Sequence, residues 1–176
     1  MPLLGVCKYL SEGIFMARPN PIRAVMEAEL PPITYQRRMQ FRPSYADINY
    51  AYNICNRYLF DNRLRKPVIE QGSRRKTWGF CQWEKELQDT GSYCTIKLMD
   101  KWFCESWFLQ TIAHEMVHQY QWDIARWEEY NGVMPESGAH GPSFFEHRER
   151  FDYYGLRLKT SFGMKRWFKH QDFRKC

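Results

Sequence analysis

Two histidines four residues apart, His114 and His118, enclose Glu115 in the stretch His114-Glu115-Met116-Val117-His118, the part of the chain best suited to chemistry. On an α-helix, 3.6 residues per turn stack positions i and i+4 one above the other, so both imidazoles can reach a single zinc ion. A carboxylate beside the first ligand can then act as general base on water that the metal has acidified. The pattern is short enough to arise by chance on a surface helix, so the neighbouring sequence has to decide.

That neighbourhood is helical. From about Cys104 to Tyr130 there is no Gly or Pro, and Leu109, Ile112, Ala113, Met116, Val117 and Tyr120 recur at helical spacing. At about 100° per residue they fill an arc about 140° wide. His114 and His118 fall within about 40° of each other on the far side of the wheel. The expectation is one apolar face in the core and a second face presenting both histidines.

A catalytic zinc site usually has three protein ligands and one open position. The remaining histidines are His140, His147 and His170. His140 is followed by Gly141 and Pro142, and Pro suits the first turn of a helix. A helix is therefore expected from Pro142 through Phe144, Phe151 and Tyr154 to Gly155, with His140 on the loop before it. His147 is the competitor. It falls near the Phe144/Phe151 face and reads better as a packed, hydrogen-bonded histidine, so His140 is favoured.

The order His114-Glu115-Met116-Val117-His118, His140-Gly141-Pro142-Ser143-Phe144, Arg150-Phe151 and Tyr154-Gly155-Leu156 resembles the SprT-like/Spartan family of zinc metalloproteases. Upstream, Tyr52 to Phe60 with Leu64 and Pro67-Val68-Ile69 looks like the family's first helix and strand entry. Trp78-Gly79-Phe80 looks like its aromatic-glycine strand, and Thr95-Ile96-Lys97-Leu98 like the strand before the zinc helix. The resemblance spans about residues 44 to 160. It implies one Zn²⁺ held by His114, His118 and His140, with Glu115 as general base and acid. It also implies protein substrates bound to or crosslinked with DNA. Two features depart from the pattern. The His118–His140 gap is long, with residues 127–135 looking like an extension over the site, and no Cys-x-x-Cys pair is present, so this is a short form without a C-terminal zinc ribbon.

Composition bounds the reading. A chain of 176 residues with 44% hydrophobic and 17% aromatic content can bury a real core. Its mean hydropathy of −0.67 and the lack of a run approaching the roughly 20 apolar residues of a membrane span exclude an integral membrane class. The start, Met1 to Val6, is too short for a signal-peptide core, so an intracellular, reducing location (cytoplasmic, nucleoid or nuclear) is expected. The six cysteines show no framework spacing and are expected as buried free thiols rather than metal ligands.

Three segments are expected: a Pro-containing N-terminal extension over 1–43, a metalloprotease domain over 44–160, and a basic aromatic tail over 161–176. Ser44 and Asp47 form a plausible capping box for a helix burying Ile48, Ala51, Tyr52, Cys55 and Leu59. Strands are expected near 68–72, 77–83 and 93–99. The fold class is α+β, a small antiparallel three-stranded sheet packed with the zincin-like metal helix and flanking helices.

The net charge of +6 resides entirely in residues 157–176, where seven basic side chains oppose Asp172. Lys165, Arg166, Trp167, Lys169, Arg174 and Lys175 interleave cations with rings, which suits phosphates and stacked bases, especially of single-stranded DNA. The leading expectation is a zinc endopeptidase acting on proteins at DNA, in which Tyr120, Tyr153 or Tyr154 could assist. The alternative is a zinc-stabilised nucleic-acid-binding or interaction protein without peptidase activity. A hydrolase of small molecules is the weakest of the three.

Overall fold

The computed structural model describes residues 41–73, 77–133 and 139–160. Most of the N-terminal extension and the whole tail from 161, with Lys165, Arg166, Trp167, Lys169, Arg174 and Lys175, lie outside them. The first helix, α1 (Tyr45–Leu59), starts where the sequence places it. The Ser44 hydroxyl accepts the Asp47 amide at 3.2 Å and the Asp47 carboxylate accepts the Ser44 amide at 2.8 Å. Two orphan donors of the first turn are thereby satisfied. All five expected stripe residues are buried. After the helix, Asp61 and Asn62 take positive φ, and buried Asn56 clamps Leu64 through both its amide groups at 2.8 and 3.1 Å.

Three strands follow, β1 (Val68–Gly72), β2 (Gly79–Trp83) and β3 (Cys94–Met99). They alternate in direction, but their spatial order is β1-β3-β2. The expectation of an all-antiparallel sheet is therefore corrected: β2 and β3 pair antiparallel, whereas β1 runs parallel to β3. The reason lies in burial. In β3 every residue but Lys97 is buried, while β1 and β2 contain none that is. The most apolar strand takes the centre, where both its edges are paired, and β2 becomes an edge strand.

Strand β2 lies against α2 (Glu105–Tyr120). From Trp107 to Tyr120 only Gln110 escapes burial. The two-faced helix expected from the wheel is thus a helix covered on all sides, its second face turned inward. Trp102, Trp107, Phe108 and Tyr52 are the bulkiest fully buried side chains around it. Past Tyr120 the chain makes a π-helical turn, Gln121–Ala125, before the short α3 (Arg126–Glu128). The helix expected after His140 is broken into α4 (Pro142–Phe145) and α5 (Arg148–Tyr153), with Gly155 ending the second at φ 74°. The break follows the burial pattern: Phe144 and Phe151 are both buried, and Glu146 and Arg148 between them are exposed.

Among the described residues the fold is α+β, with a three-stranded mixed sheet that does not close. Cys55, Cys81 and Cys94 are free thiols, as expected, and Cys104 is disulfide-bonded, contrary to that expectation. No helix among the described residues is long and apolar enough to cross a membrane.

Candidate metal centre

Helix α2 supplies His114 and His118 one turn apart, and the loop before α4 brings His140 back onto them. The Nε2 atoms of His114, His118 and His140 form a nearly equilateral triangle with sides of 3.2, 3.2 and 3.3 Å. Tetrahedral zinc with nitrogens at about 2.0–2.1 Å separates its ligands by about 3.3–3.4 Å. The triangle has the size of one face of such a tetrahedron. These three residues are also a group whose donor atoms could hold a metal ion, so the residues present fit the group the sequence implies.

A buried aromatic ring supports all three imidazoles. Phe144, fully buried on α4, lies 4.9 Å from the rings of His114 and His118 and 4.7 Å from that of His140, centroid to centroid. Pro142 at the first position of α4 fixes the start of that helix, so the loop bearing His140 and the ring beneath it arrive together. His147 is elsewhere, packed on Phe60 at 5.3 Å and Tyr120 at 4.6 Å. Its Nε2 faces Glu146 Oε1 at 3.5 Å without a hydrogen bond, so the expected packing is present.

Burial keeps the cluster neutral. Desolvation lowers the His114 pKa to about 3 and that of His118 to about 4, and it lowers His140 as well. Neutral imidazoles offer a lone pair to a cation. The main chain at Lys159 lies close enough to the His114 ring to raise its pKa slightly against the desolvation, and His118 Nδ1 donates to Gln121 Oε1 at 2.8 Å. A partner on the far side of the His118 ring turns its Nε2 toward the cluster.

Glu115 lines the same pocket as the three histidines. It is 6% exposed, and burial pushes its pKa up to about 8, opposed by a hydrogen bond from the Cys81 main chain. A carboxyl poised near neutrality suits general acid–base work. Gly79 of β2 makes room for it. A Cβ there would stand 2.7 Å from Glu115 Oε1 and 2.8 Å from Thr111 Cγ2. The edge strand reaches the helix so closely only because that residue has no side chain.

Several of these positions carried no mark in the sequence. Phe144 and Gly79 sit inside recognised motifs, but their roles depend on the fold. Trp122, one turn beyond His118, also lines the pocket. It stacks on Trp83 at 4.7 Å, with the Arg126 guanidinium over Trp83, Trp122 and Trp127. None of the tyrosines considered as assistants, Tyr120, Tyr153 or Tyr154, lines the pocket. Tyr120 instead stacks on Phe60 and accepts a hydrogen bond from Arg63 at 2.8 Å.

Compared with models of protein families, residues 48–165 match the SprT-like family. No curated protein matches the chain. The family match and the three-histidine group together fit a zinc peptidase in general terms.

Two outcomes follow from this geometry. Gly79→Ala should destabilise the protein by about 1–3 kcal/mol through overpacking against Glu115. Gly72→Ala, with nothing within 4 Å of its added methyl, should cost under about 0.5 kcal/mol. Equal denaturant midpoints for the two variants would contradict the close approach. The second outcome concerns pH in the metal-free protein. His114, His118 and His147 are depressed to about 3, 4 and 4 from an ordinary 6.5. Below 6.5 the unfolded chain therefore binds protons that the folded one does not, and stability climbs with pH. Glu115, raised from 4.5 to about 8, acts oppositely, because the folded state keeps a proton the unfolded chain has released. Three histidines outweigh it below 6.5, and it acts alone above. The thermal midpoint of chelator-treated protein should peak near pH 6.5 and decline by pH 8; a midpoint still climbing at pH 8 is the contrary result.

Proposed function

Because the chain belongs to the SprT-like family, with residues 48–165 matching its model, we propose that it is a zinc-dependent endopeptidase acting on proteins bound or crosslinked to DNA. The observation that carries the peptidase reading is the triangle of His114, His118 and His140 in one pocket with Glu115. A structural zinc site is closed by four protein ligands, whereas a catalytic one keeps a position open. Here three ligands border a pocket, which favours catalysis over the alternative of a zinc-stabilised binding module.

In this reading His114, His118 and His140 hold one Zn²⁺, which when bound supplies Lewis acidity toward water and a substrate carbonyl. Glu115 takes the proton of the attacking water and delivers it to the leaving amine. Cys81 restrains that carboxylate from the main chain and Gly79 gives it space against β2. Without metal, burial raises the Glu115 pKa to about 8; beside a bound cation that value would fall again, favouring the ionised form that accepts the proton.

The substrate class is supported by charge. The last twenty residues carry the whole net charge of +6, interleaved with rings. Lys165, Arg166, Trp167, Lys169, Arg174 and Lys175 are assigned to phosphate and base contacts, with a preference for single-stranded DNA.

Glu115→Gln should keep the wild-type zinc content, because the amide leaves the ligands untouched. It should lower cleavage of a basic protein substrate by about 10²-fold or more. Cleavage should be measured with and without single-stranded DNA. Wild-type rates in the variant would remove Glu115 from the chemistry, and rates indifferent to DNA would remove the DNA-directed part alone.

A further inference from the structure

The histidine on the helix and the one on the loop share a buried connection that passes through Gln121. This residue opens the π-helical turn that interrupts the helix after Tyr120. Such turns widen the backbone ladder and recur at functional sites. Gln121 is 2% exposed, and both ends of its carboxamide are engaged. Its Oε1 accepts from His118 Nδ1 at 2.8 Å, and its Nε2 donates to Ser143 Oγ at 2.7 Å. Ser143 is 1% exposed and sits on α4, three residues after His140 and next to Phe144, the ring beneath all three imidazoles.

We propose that Gln121 is a positioning residue for the metal centre. It sets the His118 tautomer and fastens the His140 arm to the helix. An imidazole that donates from Nδ1 has its lone pair on Nε2, the atom facing His114 and His140. The opposite tautomer would point a proton into the triangle and exclude a cation. Outer partners of this kind orient the ring and raise ligand basicity, and their loss typically costs about 10- to 100-fold in metal affinity. The second half of the role is mechanical. His140 comes from a loop 22 residues further along the chain than His118, and it is the least buried of the three. The Gln121–Ser143 bond ties the segment that follows His140 to the turn that follows His118.

This inference rests on the zinc reading above, and the test separates the two. Zinc affinity is measured by competition with a chromogenic chelator for wild type, Gln121→Leu, Gln121→Glu and Ser143→Ala. Leucine fills the space but cannot accept, and affinity should drop about 10- to 100-fold. Glutamate can only accept, so it enforces the required tautomer and should hold affinity at or above the wild-type level. Ser143→Ala keeps the His118 bond and should chiefly speed zinc dissociation. Ring ¹⁵N spectra of the zinc-loaded protein should show His118 protonated at Nδ1 in wild type and Gln121→Glu. Wild-type affinity in Gln121→Leu would overturn the proposal. Equal losses in the leucine and glutamate variants would also do so, since they would reduce the residue to packing. A wild type that takes up no zinc would instead remove the zinc reading itself.

Discussion

Three imidazole nitrogens held 3.2–3.3 Å apart in a buried pocket are the constraint on which the surrounding structure turns. Neutral rings at that separation bring lone pairs face to face, and protonated rings bring charges together where burial already disfavours them. Neither arrangement is favourable alone, and a single cation at the centre relieves both. The protein therefore has to hold the rings from outside. It does so with Phe144 beneath them, Gln121 behind His118, and Pro142 fixing the start of the helix that follows His140.

The sheet serves the same end. Placing β3 at the centre pairs the most apolar strand on both edges and leaves β2 beside the metal helix. From there β2 gives the pocket Gly79, whose missing side chain admits the Glu115 carboxylate, and Cys81, whose main chain bonds it. At the other end of that strand Trp83 stacks on Trp122, so one strand spans the cleft from the carboxylate to an aromatic end wall. In the metal-free protein the carboxyl's pKa is raised because the helix carrying it is enclosed on every side. Burial of α2 thus links core packing directly to the chemistry proposed for the site.

Much of this was legible in the chain. The capping pair Ser44 and Asp47 marks the start of α1, and the strands fall within two residues of their expected limits. His140 could be chosen over His147 because Gly141 and Pro142 signal a helix start, which is local backbone chemistry. Other features required the fold. Strand order depends on long-range burial, which alternation along one strand does not encode, so the parallel β1–β3 pairing was missed. The π turn at Gln121 has no Gly or Pro to announce it, and the wheel, built on a constant 100° per residue, passes straight through it. The enclosure of both histidines was missed because the elements that cover them, β2 and α4, lie far away in sequence. Gln121 follows His118 by three residues, a spacing at which helix side chains meet, so a reading attentive to outer partners could have found it.

Zinc K-edge X-ray absorption on the purified protein tests the central claim most directly. The geometry calls for one zinc per chain with three imidazole nitrogens and one oxygen ligand at about 2.0–2.1 Å, and for collapse of that shell in His140→Ala. A first shell containing sulfur, for which Cys81 in the same pocket is the available donor, would contradict it. So would an unchanged shell in the His140 variant.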